Sequence, residues 1–135
     1  MNYWLIKSEP GTYSFEDLVH DKRTHWDGVR NYQARNNLRS MKVGDLCLYY
    51  HSVNEKSVVG VAKVVKEHYQ DPTTDDPKWV VVDVQPEFPF KKHVSLAEIK
   101  QDDQLIDMVL VKNSRLSVQP VKKEEFDRIV KMGNS

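Results

Sequence analysis

The stretch Ser57-Val58-Val59-Gly60-Val61-Ala62-Lys63-Val64-Val65-Lys66-Glu67-His68 constrains the architecture of this chain more than any other. Its valines favour a β-strand, and they fill successive positions, so apolar side chains point to both faces of that strand. Gly60 interrupts the run and predicts a bulge or a bend in a curved sheet. A strand with two apolar faces suits a sheet that is covered by helices on one side and curled around its own core on the other.

Further strands are predicted on both sides of this one. Tyr3 to Ile6 is a short apolar run, and Lys78 to Gln85 is a second β-branched run. These two patterns predict core positions for Trp4 and Trp79. Asp71 to Pro77, which contains two prolines and three aspartates, is predicted to be a loop. The run from 45 to 51 alternates between two faces, one with Leu46, Leu48 and Tyr50 and the other with Cys47, Tyr49 and His51.

Short helices are predicted between and after the strands. Ser14 and Ser95 each stand three residues before a carboxylate, which is the spacing of a capping box at a helix start. Leu18 and Val19 of the first of these helices are expected to face the core. Two further helices are indicated by apolar residues at helical spacing, namely Ala34, Leu38 and Met41, and Phe126, Ile129 and Val130. These elements predict an α+β fold, a small mixed β-barrel with short helices packed around it.

The composition indicates one globular domain over residues 1–135. Hydrophobic residues make up 39% of the chain and charged residues 30%, which excludes the disordered class. No apolar run approaches the roughly 20 residues of a membrane-spanning helix. The single cysteine, Cys47, fits a reducing compartment. No strong basic run supports a nuclear address, so a cytoplasmic protein is expected; the oligomeric state stays open.

The charges are segregated although the formal net charge is zero. Residues 22–42 contain six basic side chains and one acidic side chain, and residues 67–87 contain six acidic side chains and one basic side chain. A local basic patch can steer an anionic polymer toward a protein that is neutral overall. The alternative is that the two runs face each other or water.

Residues 26–35 read Trp26-Asp27-Gly28-Val29-Arg30-Asn31-Tyr32-Gln33-Ala34-Arg35 and combine an aromatic ring, an amide and guanidinium groups around an Asp-Gly turn. This set favours recognition of a nucleobase over catalysis. Trp26 has polar neighbours, so we expect it in a surface loop, where its ring can stack on a base. Asn31 can read a base edge or cap the helix that follows.

Five segments together resemble the EVE domain, as found in the thymocyte nuclear protein family and its bacterial relatives. They are Lys7 to Pro10, Trp26 to Arg35, Tyr50 to Ser52, Asp71 to Thr73, and Ser114 to Pro120. The resemblance implies a PUA-like fold and binding of modified bases, particularly modified cytosine in DNA, or modified RNA. The related YTH domains, readers of methylated adenine in RNA, share a Lys-Ser pair, a pocket tryptophan and an Asn-Ser-Arg element similar to residues 113–115.

The expected site is a non-catalytic pocket for one base. Tyr50 is a candidate second wall or a core residue, and Ser8 and Ser52 offer contacts to the ligand or local turn hydrogen bonds. By similarity to the YTH pattern, Arg115 would bind phosphate or a base edge; the alternative is an ion pair with a carboxylate such as Glu9. The expected ligand-binding residues are Lys7, Ser8, Trp26, Val29, Asn31, Tyr50, His51, Ser52, Arg115 and Gln119.

Backbone phosphates are expected to contact Arg30, Arg35 and Arg39. A pocket for one base implies a flipped or single-stranded nucleotide of modified DNA or RNA. No cofactor is expected, and no metal site, because the five histidines lack zinc-type spacing. The alternative function is a hydrolase acting on a modified nucleoside or nucleotide, in which Lys7 activates Ser8. Adjacent strand residues face opposite ways, which weighs against that pair unless the strand ends at Lys7.

Overall fold

One six-stranded sheet and five helices form a mixed α+β fold in this computed structural model, which describes all of residues 1–135. In chain order the elements are β1 (Tyr3–Ser8), α1 (Phe15–Asp21), β2 (Thr24–His25), α2 (Tyr32–Ser40), β3 (Leu46–His51), β4 (Ser57–Gln70), β5 (Val80–Ser95), α3 (Leu96–Lys100), α4 (Val109–Lys112), β6 (Val118–Val121) and α5 (Lys123–Gly133). The strand order across the sheet is β2-β5-β4-β3-β1-β6. β1 and β3 run parallel, and all other neighbours are antiparallel.

The sheet is open, with β2 and β6 at its edges, so the predicted closure into a barrel is not confirmed. Its two longest strands are nevertheless irregular, because the β4–β5 ladder shifts register at four places. One of these shifts lies beside Gly60, where the sequence predicts a bulge. A Cβ atom at Gly60 would lie 2.8 Å from the ring of Phe15 and 2.9 Å from the carbonyl oxygen of Phe88. Glycine therefore lets β4 pass directly beneath the first residue of α1.

Helices cover both faces of the sheet, whereas the sequence pattern predicts helices on one side and a core enclosed by the curled sheet on the other. On one face, 19 buried residues form a first core together with α1 and α2. On the other face, 14 buried residues form a second core together with α3, α4 and α5. The predicted alternation in β3 is confirmed, because Cys47 and Tyr49 belong to the first core and Leu48 and Tyr50 to the second.

β5 is longer than predicted and continues through Pro86 and Pro89 to Ser95. β2 pairs with β5 only at Asp83 and Val84, so the outer side of β5 is a free edge from Gln85 onward. Proline is tolerated at such an edge because its missing N–H costs no ladder hydrogen bond. The sequence pattern predicts this strand only up to Gln85, whereas the strand includes both prolines.

The start of β5 also differs from the prediction, and this changes the position of Trp79. The backbone N–H of Trp79 donates to the carbonyl oxygen of Asp76 at 3.3 Å, which closes a turn before the strand begins at Val80. Trp79 is consequently only half-buried, and the predicted core position is wrong. Trp4 is buried in the first core, as predicted.

The predicted capping boxes are confirmed at Ser14 and Ser95, where each serine hydroxyl accepts from a backbone N–H three residues later. α1 buries Phe15 and Leu18, whereas Val19 is exposed, because a helix of two turns presents only one side to the sheet. None of the helices is long and apolar enough to cross a membrane.

Candidate functional site

A cavity of about 480 Å³ lies beside the last residues of β1. Four segments form its wall: the end of β1, the loop before α1, β2 with the loop that follows it, and the residue before β6. The lining residues are Lys7, Ser8, Thr12, Tyr13, residues 24–30 and Ser117. The volume is within the range of pockets that hold small organic ligands. Five of the residues selected from the sequence line it: Lys7, Ser8, Trp26, Val29 and Arg30.

Trp26 forms a largely buried aromatic wall of the cavity. Its side chain packs edge-to-face on Tyr49, with ring centroids 5.4 Å apart, and on Tyr13, with centroids 6.5 Å apart. Its backbone N–H donates to the carbonyl oxygen of Val82 at 2.8 Å. Trp26 is 8% exposed and belongs to the first core, so the predicted surface-loop position is wrong. Its orientation is set by two other aromatic rings and by the sheet.

The carboxylate of Asp71 holds the cavity loop against the loop between β4 and β5. It is fully buried and accepts hydrogen bonds from the backbone N–H of Gly28, a guanidinium N–H of Arg30, and both the N–H and the hydroxyl of Thr73, all at 2.6–3.0 Å. Burial alone raises the pKa of Asp71, but these hydrogen bonds outweigh it and lower the pKa to about 2. Asp71 is therefore ionised at neutral pH and fixes Arg30 at the rim of the cavity.

Lys7 brings a positive charge to the cavity without an acidic partner. Its Nζ donates to the backbone carbonyl of Ser114 and lies 5.5 Å from the centroid of the Tyr50 ring. Burial lowers the pKa of Lys7 below its ordinary value. N–H groups of the ammonium that are not used by Ser114 remain as donors for a ligand.

Ser8 lies next to Lys7 in the wall but is occupied by a local contact. Its hydroxyl donates to the carbonyl oxygen of Tyr13 at 2.7 Å, and the hydroxyl of Tyr49 donates to the same oxygen at 2.9 Å. β1 includes both Lys7 and Ser8, and no hydrogen bond joins them, as the alternation of side chains along a strand predicts. The geometry fixes the loop before α1 and leaves Ser8 without an activating base.

Six of the residues expected to bind ligand lie outside the lining of the cavity. His51, Tyr50 and Gln119 are buried. His51 Nε2 accepts from the N–H of Phe15, Tyr50 is in the second core, and the Gln119 amide donates to the carbonyl oxygens of Asn113 and Leu116. The other three are Asn31, Ser52 and Arg115.

These three remaining residues have different surroundings. Asn31 is the N-cap of α2, and its side-chain oxygen accepts from the N–H of Ala34 at 3.0 Å, so the capping alternative is the one observed. The N–H of Ser52 donates to the carbonyl oxygen of Ser8. Arg115 is exposed, and it forms no ion pair with Glu9 or any other carboxylate.

The basic and the acidic run partly face each other, which is the alternative that the sequence left open. Three ion pairs join them: Arg23 with Asp83 at 2.8 Å, Arg30 with Asp71 at 3.0 Å, and Lys42 with Glu67 at 4.0 Å. Two of the arginines expected to bind phosphate, Arg35 and Arg39, form no ion pair with an acidic side chain. Arg35 donates instead to the side chain of Asn36 at 2.8 Å.

Sequence reasoning missed several residues that shape the cavity. Thr12, Tyr13, Thr24, His25 and Ser117 line it. Ser117 lies in one of the five segments that resemble the EVE domain, but the other four are in none of them, and all five reach the cavity from separate parts of the chain. The role of Asp71 was missed as well, although an Asp-Pro-Thr sequence is typical of a side chain that bonds its own loop.

A family model described as the EVE domain matches residues 2–132. Mouse thymocyte nuclear protein 1 is 42% identical over 97% of this chain and 73% of its own length. A crystal structure of protein Atu2648 from Agrobacterium tumefaciens superposes with a TM-score of 0.96 at 43% identity, covering 98% of this chain and 93% of that one. A crystal structure of human THYN1 protein in complex with 5-methylcytosine containing DNA superposes with a TM-score of 0.91 at 40% identity, covering 100% of this chain and 99% of that one. The resemblance drawn from the five sequence segments is thereby confirmed.

One expectation is contradicted by these relatives. The sequence pattern predicts a cytoplasmic protein, whereas the mouse and human relatives are named as thymocyte nuclear proteins. The absence of a strong basic run is therefore no guide to the compartment of this protein.

Proposed function

Because this chain belongs to the EVE domain family, we propose that it binds DNA containing a modified cytosine and receives that base, flipped out or single-stranded, in the cavity beside Trp26. The observation that carries the proposal is the aromatic-walled cavity in a fold that superposes on a relative crystallised with 5-methylcytosine containing DNA. In this proposal a base fills the space between the wall of Trp26 and Val29 and the polar groups of Lys7 and Ser117.

The chemistry of the lining supports a base that carries a methyl group. Trp26 and Val29 are apolar and nearly fully buried, so a methyl group against them loses its contact with water. One methyl group in an apolar pocket contributes roughly 1–3 kcal/mol, or about 10- to 200-fold in affinity. The proposal therefore predicts a preference for the modified base rather than absolute selectivity.

Polar groups at the rim of the cavity support recognition of a pyrimidine edge and of the phosphate of the same nucleotide. The ammonium of Lys7 can donate to a ring carbonyl oxygen, and the carboxylate of Asp27 can accept from an exocyclic amino group. Cytosine presents one group of each kind. Arg30 lies at the rim, where its guanidinium can contact a phosphate while Asp71 holds it in place.

The proposed role is binding without a chemical step. The hydrolase considered from the sequence would use the hydroxyl of Ser8 as its nucleophile, but that hydroxyl donates to the carbonyl oxygen of Tyr13. The ammonium of Lys7 bonds to Ser114 and not to Ser8. Turnover of a modified nucleoside or nucleotide by the unaltered protein, lost in Ser8→Ala, would contradict this part of the proposal.

Two structural expectations belong to the same proposal: the PUA-like barrel and the single domain. The register shifts along β4 and β5 support strong curvature of the sheet around the first core. The two cores on opposite faces of one sheet support a single folding unit over residues 1–135. One cooperative unfolding transition, with the same midpoint by tryptophan fluorescence and by circular dichroism, would support the single unit; two separate midpoints would contradict it.

The proposal is tested by titration of short single-stranded oligonucleotides that contain one 5-methylcytosine or one cytosine. Trp26→Phe keeps an aromatic ring in the core but reduces the stacking surface, and we expect it to weaken binding by at least about fivefold. Trp4→Phe is the matched control, because Trp4 is a buried tryptophan of the same core that does not line the cavity. Equal affinities of the two variants would contradict the proposed site.

A further inference from the structure

An aromatic pair of one exposed and one half-buried ring lies outside the cavity and has no role in the proposed pocket. Tyr32, the first residue of α2, is 58% exposed. Its ring lies over the ring of Trp79, with centroids 5.3 Å apart and an interplanar angle of 32°. Tyr32 is the only aromatic residue among the exposed large hydrophobic side chains of the chain. Two adjoining aromatic rings at the surface form a contact area that we call the aromatic platform.

Three cationic side chains surround the aromatic platform. The guanidinium carbon of Arg35 lies 5.1 Å from the centroid of Tyr32, and that of Arg30 lies 5.6 Å from the centroid of Trp79. The ammonium of Lys78 lies 5.9 Å from the Tyr32 centroid and 5.7 Å from the Trp79 centroid. Aromatic rings interleaved with cations are the composition of surfaces that bind single-stranded nucleic acid. Arg30 is paired with Asp71 and Lys78 with Asp76 at 3.4 Å, whereas Arg35 has no acidic partner. The positive charge in excess therefore comes from Arg35, and it is complementary to a phosphodiester.

The aromatic platform is held in place before any ligand arrives. Asn31 caps α2 and thereby fixes the backbone of Tyr32. The carbonyl oxygen of Trp79 accepts from the backbone N–H of Asp71 at 2.9 Å, and the side chain of Asp71 binds Arg30. A rigid platform loses little conformational entropy when a ligand binds, so its contacts contribute more of their gross energy to affinity.

Arg30 links the aromatic platform to the cavity, because it both lines the cavity and lies over Trp79. We propose that the platform stacks the base next to the modified cytosine on the same strand, and that Arg35 and Lys78 contact the backbone phosphate of that neighbour. This inference rests on the proposed function, which it deepens by assigning a second nucleotide subsite. A base stacked on an aromatic side chain is read by its flat face, so the subsite accepts any base.

The experiment compares two oligonucleotides of equal charge, each with a central 5-methylcytosine. One has an adenine on either side of it and the other has an abasic site on either side. We expect the unaltered protein to bind the adenine-flanked strand about 5- to 140-fold more tightly. In Tyr32→Ala this preference should fall below about twofold, with the affinity for the abasic-flanked strand retained. Trp79→Ala should act in the same way, and Ile106→Ala, which removes another exposed apolar side chain, should leave both affinities unchanged.

Each outcome bears on one of the two proposals. Trp26→Phe should lower the affinities for both strands by the same factor. If it lowers neither affinity, the proposed pocket is wrong. The aromatic platform is overturned if the unaltered protein does not prefer the adenine-flanked strand, or if Tyr32→Ala keeps the preference. The role of the aromatic platform is also overturned if Tyr32→Ala lowers the affinity for the abasic-flanked strand as much as the affinity for the adenine-flanked strand. The Tyr32 ring would then act on the cavity or on the fold.

Discussion

Asp71 shows how one residue can connect the parts of a site that are distant in sequence. A buried carboxylate is costly unless its oxygens are bonded, and here backbone and side-chain donors from residues 28, 30 and 73 satisfy them. Through Gly28 and Arg30 it holds the cavity loop, and through its own backbone N–H it holds Trp79. The cavity and the aromatic platform therefore both depend on a residue that lies in neither.

Replacing Asp71 by asparagine tests this connection. The pKa of Asp71 is lower in the folded protein than its ordinary value of 3.8, so the stabilisation is complete above about pH 4 and is lost as the pH falls toward 2. A shift of this size corresponds to roughly 2 kcal/mol. We expect urea unfolding at pH 7 to show Asp71→Asn about 2 kcal/mol less stable than the unaltered protein.

The pH dependence is the sharper part of this prediction. The difference in free energy of unfolding between the two proteins should shrink between pH 4 and pH 2, as the carboxylate takes up its proton. Other carboxylates titrate in both proteins and cancel in the difference. A difference that stays constant down to pH 2 would show that the charge of Asp71 is not what stabilises the loops.

Among the elements, β4 is central to the fold, because it contributes to the core on each face of the sheet and pairs irregularly with β5. Gly60 lies where α1 crosses this strand, and the space for a side chain is taken by Phe15 and by the backbone of Phe88. The sequence predicts the irregularity at Gly60 but not its cause, since Phe15 is far from Gly60 along the chain. The length of β5 was likewise hidden, because its two prolines are tolerated only at a free edge.

Gly60→Ala is therefore expected to be destabilising, although alanine suits a strand better than glycine does. Overpacking of a close-packed core typically costs 1–3 kcal/mol, and we expect a loss of about that size in the free energy of unfolding. Gly11→Ala is the matched control, because no atom lies within 4 Å of the position that a Cβ atom would take there. Denaturant unfolding of both variants measures the effect, and equal stabilities would contradict the close approach of α1 to β4.

For the whole molecule, the net charge of zero does not mean that every charge is paired. Arg23, Arg30 and Lys42 each have an acidic partner, whereas Arg35, Arg39 and Arg115 have none. A cation that is paired with a carboxylate releases few counterions when a nucleic acid binds. Only the three arginines without an acidic partner therefore contribute strongly to the salt dependence of the affinity. We therefore expect weak electrostatic attraction and recognition that depends mainly on the cavity and the aromatic platform.

Arg115→Ala tests this distribution of charge. Each phosphate that a cation neutralises on a single strand contributes a slope of about −0.7 to the logarithm of affinity against the logarithm of salt concentration. We expect Arg115→Ala to reduce the magnitude of the slope by about that amount, in titrations at several salt concentrations. Arg23→Ala, which removes an arginine paired with Asp83, should leave the slope nearly unchanged; a reversal of the two effects would contradict the assignment.

The α+β class, the two-faced strand, the capped helices and the family could all be predicted from the amino-acid order, because they depend on residues a few positions apart or on motifs that follow one another along the chain. Which polar residues meet depends on the folded chain. Parallel pairing of β1 with β3 and antiparallel pairing with β6 bring Lys7 beside Ser117, and the turn before β5 turns Trp79 out of the core and onto Tyr32. His51 and Gln119 lie in two of the segments that resemble the EVE domain, but both residues are buried. Periodicity reports which side of an element is apolar, whereas a cavity is defined by what lies across from it, and that depends on contacts between segments far apart in the chain.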